Sequence, residues 1–268
     1  MEDVERGNPE LVSSAVYGHT VEGRNITLLK LGLDNSEGRE KKLMWVDCGI
    51  HAREWIAPAF CQWFVKEIVH TYKTNEKLEQ MLQNLDVYVT PVINVDGYTF
   101  TWANDSTRLW RKSRSLPLQG SNCYGVDLNR NFNANWGTVG VSFDSCANTY
   151  CGKSPGSEPE ARAVMDFIDP NSGSSRDWAR LMGVPFSYTF ELRDTGEFSH
   201  LLPEEQIQPA CEEAYAGALS IITHVHDKTF SSAAVAAVTG VASASGVAVA
   251  ILSTVVSALV TAGVSACD

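Results

Sequence analysis

An imidazole and a carboxylate, His51 and Glu54, follow a short apolar run, Met44-Trp45-Val46-Asp47-Cys48-Gly49-Ile50. The run reads as a buried strand that stops at a glycine. Spaced i and i+3, the two side chains put a pair of zinc ligands in one tight bend at a strand end. A catalytic zinc usually takes three protein ligands and leaves the fourth position to water. Taken alone, the quartet fits a surface histidine in a loop better than a metal site.

Other residues could complete such chemistry. Arg108-Leu109-Trp110-Arg111-Lys112 and Asp127-Leu128-Asn129-Arg130-Asn131 set basic and amide groups beside aromatic and apolar ones. An arginine fork binds a carboxylate bidentately, so Asn129 and Arg130 side by side suit a substrate carboxylate. A solvated positive face gives the same pattern. Glu191 lies late in the β-rich run Ser187-Tyr188-Thr189-Phe190-Glu191. It could serve as general base to a zinc-bound water, or pair with Arg193.

These residues need a scaffold, and residues 1–228 read as one. Strands are expected at Leu11 to Gly18, Asn25 to Leu33, Leu43 to Ile50, Leu85 to Ile93 and Val184 to Leu192. Helices are expected at Ala57 to Thr74, Pro159 to Ile168 and Glu204 to Asp227. Strands alternating with helices give an α/β layered domain. Residues 229–268 differ: after Lys228 no charge appears until Asp268. An apolar core of about 20 residues around Val247 to Val264 reads as a membrane-directed tail. With Ser231-Ser232-Ala233 ahead of it, it resembles a lipid-anchor attachment signal. A flexible small-residue tail is the plainer alternative.

Composition narrows the partners. A net charge of -11 argues against nucleic acid, whose phosphates require a basic surface. The seven cysteines include no C-x-x-C pair, which argues against a structural zinc ribbon. The sequons Asn25-Ile26-Thr27 and Asn104-Asp105-Ser106 fit an extracellular chain. Residues 1–20 carry no apolar export signal, which suggests an incomplete N-terminus.

Five motifs in order then carry a family resemblance. They are Gly49-Ile50-His51-Ala52-Arg53-Glu54-Trp55, Pro91-Val92-Ile93-Asn94-Val95-Asp96-Gly97-Tyr98, Arg108-Leu109-Trp110-Arg111-Lys112, Val126-Asp127-Leu128-Asn129-Arg130-Asn131-Phe132 and Thr189-Phe190-Glu191-Leu192-Arg193-Asp194-Thr195-Gly196. Between about Leu11 and Asp227 the chain resembles the pancreatic-type zinc metallocarboxypeptidases. The resemblance implies a mixed, mostly parallel sheet flanked by helices, one zinc, and a monomer acting on peptide or protein C-termini outside the cell or at its surface. It makes His51 and Glu54 zinc ligands and Asp127 the acceptor that orients His51. Arg111 would steady the oxyanion and Glu191 deprotonate the water. Asn129 and Arg130 would hold the terminal carboxylate, and Arg53 would contact substrate further along. Arg176, in Ser174-Ser175-Arg176-Asp177-Trp178, aligns at the base of the specificity pocket and implies acidic terminal residues. Cys48 with Cys61 and Cys123 with Cys146 match family disulfides. Cys151 matches a family cysteine whose partner position holds Gly137.

The resemblance breaks after Ile168. There the family has a central strand bearing the third zinc ligand, but Asp169-Pro170-Asn171-Ser172-Gly173 leads straight into the pocket motif. Several tens of residues are absent, and with them several strands of the sheet. The strand Val184 to Leu192 is therefore expected to become an exposed edge. No other histidine is placed to take over. His19 lies in a turn, His70 late in a helix, and His200 where the family has an apolar pocket residue. His224 and His226 lie on the last helix, where i and i+2 do not share a face.

Overall fold

The element that positions everything else is β3 (Lys42–Asp47), whose Met44, Trp45, Val46 and Asp47 are all buried. A computed structural model describes residues 1–35, 38, 41–168, 186–194, 196–231 and 249–255 of the chain. Five more strands join β3: β1 (Val12–His19), β2 (Asn25–Leu31), β4 (Leu85–Thr90), β5 (Phe186–Glu191) and β6 (Val249–Val255). They form one mixed sheet in the order β1-β2-β4-β3-β6-β5. The pairs β1-β2 and β2-β4 are antiparallel, and β3-β4, β3-β6 and β5-β6 are parallel.

Helices cover both faces, as parallel strands buried on both sides require. On one face lie α2 (Ile56–Thr71) and α6 (Glu204–His226). The apolar stripe of α2 is Phe60, Phe64, Val65 and Ile68, and that of α6 is Ala210, Cys211, Ala214, Ala218, Ile222 and Val225. Both stripes join Met44, Val46, Val87 and Val89 in one core. The opposite face carries α5 (Pro159–Ile168). Its Ala161, Val164 and Met165 pack with Trp45, Leu28, Ile93, Leu128 and Phe132. Tyr17 and Phe167 meet the Trp45 indole at ring-centroid distances of 5.6 and 5.3 Å.

Three helices go beyond the expected elements: α1 (Glu2–Gly7), α3 (Glu76–Asn84) and α4 (Val95–Thr101). The sequence of α4 holds glycine, threonine and valine, all weak helix formers. Its start is fixed instead by Asn94, fully buried, whose Oδ1 accepts the Gly97 amide at 3.0 Å. The Asn94 Nδ2 donates to the carbonyls of Ile50 and Lys112. β2 stops at Leu31 rather than Leu33, and two strands stop three residues short of their expected ends. β3 stops at Asp47 rather than Ile50, because Gly49 turns the chain at φ 64°. A Cβ there would lie 3.2 Å from Val92. β4 likewise ends at Thr90 rather than Ile93.

The edge strand expected at Val184 to Leu192 occurs over Phe186–Glu191. β5 is the last strand of the sheet, but its inner side is laddered to β6 from Phe186↔Ala250 to Glu191↔Val255. Part of the charge-free tail thus supplies a sheet strand. Among the described residues no helix is long and apolar enough to cross a membrane. The rest of the tail, apart from its first residues to Ser231, and with it the lipid-anchor reading, lies outside the described residues.

α5 also carries a pH-sensitive buried carboxyl. Glu160 is 0% exposed; its Oε1 accepts the Val21 amide and its Oε2 has no partner. Burial, with Glu158 and Asp96 nearby, pushes its pKa up to about 7 from 4.5. A carboxyl with a raised folded-state pKa contributes full stability below its unfolded value and loses it as pH rises through the folded one. Glu160→Gln should therefore stabilise the protein by about 1–3 kcal/mol at pH 8 and by little at pH 4.5. Thermal melts at the two pH values check this; equal shifts at both would refute it.

Candidate functional site

The C-terminal ends of parallel strands are where α/β sheets place their ligand sites. At the end of β3 the loop Cys48–Glu54 is fixed from several sides. The Cys48–Cys61 disulfide ties it to α2. The Ile93 and Asn94 amides donate to the carbonyls of Cys48 and Gly49 at 3.1 and 3.0 Å. The Ala52 amide donates to Arg111 O at 3.1 Å. A second disulfide, Cys123–Cys146, closes the loop region that follows Arg111.

Within that frame the pair predicted from sequence comes together. His51 and Glu54 are each 1% exposed, with His51 Nδ1 at 2.8 Å from Glu54 Oε1. On the other side of the ring, Nε2 lies 3.1 Å from Asp127 Oδ1. Asp127 is 0% exposed and caps the short turn Leu128–Arg130 by accepting the Asn129 amide at 3.0 Å. Its Oδ2 accepts from Arg111 Nε and Nη2 at 3.1 and 2.8 Å. Arg111 Nη1 is 3.7 Å from Glu54 Oε1. Two acids and two bases thus neutralise one another in a buried quartet.

The charges behave accordingly. Burial opposes ionisation of His51, but Glu54 and Asp127 outweigh it and raise its pKa. Burial likewise opposes the Asp127 carboxylate, and His51, Arg111 and Arg130 hold it well below the usual range.

The other expected residues surround this quartet. Arg53 is half-buried with its Nε enclosed and without a hydrogen-bond partner. Asn129 and Arg130 share the turn after Asp127, and Arg130 donates to the carbonyls of Gly140 and Asn129. Glu191 ends β5, exposed, across β6 from β3. Two strand spacings put the strands it separates roughly 10 Å apart. Arg176 lies outside the described residues.

Two neighbours have no role assigned from the sequence. Arg108, quoted above only within its motif, donates to the carbonyls of Arg53 and His200, both at 2.8 Å. Its guanidinium lies 3.7 Å above the Trp55 ring, which stacks on Trp102 at 3.9 Å. His200 shares a cavity of about 70 Å³ with Glu54, Trp55 and Arg108. Its Nδ1 is buried without a partner, and burial followed by Arg53 lowers its pKa to about 4. Only tertiary folding brings it to Glu54, 146 residues earlier by the numbering.

The donor set can be tested against zinc. His51 Nδ1 and the Glu54 carboxylate face one another, and Asp127 stands behind the ring as an orienting acceptor. Among the described residues no group of three His, Cys, Asp or Glu side chains is arranged to hold a metal. All six histidines are described, so no further imidazole remains to be placed. Among the described residues the donors at this point are His51 and Glu54, where a catalytic zinc usually takes three protein ligands.

Comparisons with known proteins agree with the fold and with the gap. The zinc carboxypeptidase family model matches residues 1–172 and 168–217, two pieces that meet at the end of α5. Carboxypeptidase O of Homo sapiens is 41% identical over 297 residues, covering 87% of this chain and 78% of its own. That alignment is longer than the 268-residue chain, so it includes positions this chain does not fill. Carboxypeptidase B of Rattus norvegicus is 38% identical, covering 86% of this chain and 70% of its own. Among solved structures, thrombin activatable fibrinolysis inhibitor is 34% identical with a TM-score of 0.76, covering 83% of this chain and 71% of its own. The bovine protein, in complex with tick carboxypeptidase inhibitor, has a TM-score of 0.73 at 34% identity, with coverages of 85% and 94%.

Proposed function

The chain belongs to the zinc carboxypeptidase family, and we propose that within it this protein binds peptide C-termini without hydrolysing them. The observation that carries the reading is the donor set: His51 and Glu54 face one another, and among the described residues no third ligand joins them. Substrate recognition needs no metal. Asn129 and Arg130 take the terminal carboxylate through charge-assisted hydrogen bonds. Arg53 follows the peptide backbone. Arg176 selects an acidic terminal side chain by its sign of charge. The two disulfides support an oxidising compartment, hence a place outside the cell or at its surface.

A second reading is a working zinc carboxypeptidase that removes acidic terminal residues, with Glu191 as base and Arg111 facing the oxyanion. The retained His51–Asp127 pair favours it; it needs a ligand the described residues do not supply. In either case detergent dependence of solubility tests the charge-free tail as a tether.

Binding of labelled peptides tests the first reading. A peptide ending in Glu should bind about 10-fold or more tighter than one ending in Lys, and its C-terminal amide should bind poorly. Arg176→Asp should reverse the preference. Equal binding of the acid and the amide would remove the carboxylate site.

A further inference from the structure

The fold treats the two sequons, Asn25-Ile26-Thr27 and Asn104-Asp105-Ser106, differently. Asn25 opens β2, where it pairs with His19 of β1 and is followed by the fully buried Ile26. Asn104 lies between α4 and the short turn Asp105–Thr107, and Asn104, Asp105 and Ser106 are all exposed. Asn104 Oδ1 accepts from the Ser106 amide at 3.0 Å and from Ser106 Oγ at 2.5 Å. The Asn104 backbone amide donates to Thr107 Oγ1 at 3.2 Å, and that hydroxyl donates to the Asn104 carbonyl at 2.8 Å. Asparagine favours such a turn because its side-chain oxygen takes the place of a backbone carbonyl. The two groups that define a sequon, the asparagine amide and the hydroxyl two residues on, are thus in contact. Among the described residues the Asn104 Nδ2 makes no hydrogen bond. All of these bonds lie within residues 104–107, so the turn forms without tertiary contacts. The β2 ladder around Asn25 instead needs β1 and β4.

We propose that Asn104 is an N-glycosylation site and carries an oligosaccharide beside the candidate functional site. In the reaction Asn104 Nδ2 loses one proton and bonds to the anomeric carbon of an oligosaccharide. The bond from that carbon to the phosphate oxygen of a lipid diphosphate donor breaks, and the diphosphate leaves with the electron pair. Nothing is oxidised or reduced. The surroundings suit a bulky, solubilising group. The turn ends at Arg108, which lies over the Trp55 ring and lines the cavity that holds Glu54 and His200. Two residues before Asn104 stands Trp102, 60% exposed and stacked on Trp55. Leu109, 52% exposed, follows the turn and lines a surface cavity together with Ser106. A glycan rooted between Trp102 and Arg108 covers apolar surface that the chain otherwise presents to water. The proposal rests on the extracellular placing above, because the lipid-linked donor and its transferase belong to the export route. It does not depend on the metal ligands.

The test is the full chain, led by a cleavable export signal and made in a eukaryotic cell line. Chains whose Cys48–Cys61 disulfide has formed have reached the oxidising compartment, and these are analysed whether secreted or retained. Peptide mass mapping should find an N-linked glycan on Asn104. An amide-cleaving endoglycosidase in heavy-oxygen water should leave a labelled aspartate in place of Asn104, which separates a glycan from spontaneous deamidation. Ser106→Ala should lose the glycan although Asn104 remains, and Ser106→Thr should retain it because the hydroxyl is kept. Ser106 is exposed, so neither change disturbs core packing. Asn25→Gln should leave the glycan on Asn104 in place. A bare Asn104 in disulfide-bonded chains, a glycan on Asn25 alone, or a glycan that survives Ser106→Ala would each overturn the assignment. Free thiols at Cys48 and Cys61 in every chain would instead overturn the extracellular placing beneath it.

Discussion

Incubated with a peptide ending in glutamate, the 268-residue chain should release no free glutamate, with zinc added or without. The chain retains the groups that would act on a substrate, Glu191 and Arg111, but a water needs a firmly held ion to become a nucleophile near neutral pH. His51 and Glu54 alone hold one weakly. Removing one stabilising donor from an active site costs about 100- to 1,000-fold in rate, and loss of the metal itself is more severe. Arg111 is also committed, donating twice to Asp127 and lying 3.7 Å from Glu54. Metal analysis after chelator dialysis should find well below one zinc per chain. Steady release of glutamate that stops with chelator and with Glu191→Gln would establish the second reading, a working carboxypeptidase.

What could be read from the chain depended on how local the signal is. α5 was bounded by its own proline and apolar stripe and occurs as expected over Pro159–Ile168. The quartet could be read in part: the motifs gave His51, Glu54, Asp127 and Arg111, and all of them meet. Their mutual neutralisation could not be read, because it depends on distances across 76 residues of separation. α3 had its signals in Asn75 as cap and in Leu78, Met81 and Leu82 at helical spacing, beside a longer helix whose extension fits the same residues. β6 was the least legible. A charge-free run is equally suited to a bilayer and to a strand buried on both faces. Its partners in the sheet lie some 200 residues earlier and 60 residues earlier, counted from Asp47 and Glu191 to Ser253 and Val255. The contact of His200 with the site could not be read for a related reason: the turn after β5 carries it into a cavity with Glu54, and no periodicity encodes that meeting.

The quartet itself should be the most sensitive point for stability. Asp127 has no exposure, and it accepts from His51 Nε2, from two nitrogens of Arg111 and from the Asn129 amide. Asp127→Ala would leave an imidazole, a guanidinium and a capping amide without that acceptor, the imidazole almost wholly buried. Breaking a buried pair by removing one partner costs about 3–5 kcal/mol, because the remaining charge keeps its desolvation penalty. Asp127→Asn should cost less, since its amide oxygen still accepts one of these bonds. The pH dependence has a definite sign. The folded-state pKa of Asp127 is held below its ordinary value of 3.8, so its contribution is present above that value and is lost as pH falls through the folded one. Urea unfolding of Asp127→Ala and the unmodified chain should therefore differ by that amount at pH 7 and still at pH 5, with the gap narrowing only in stronger acid. A loss below about 1 kcal/mol would show that the four groups are not held together as a buried ion network, because an exposed pair is worth no more than that.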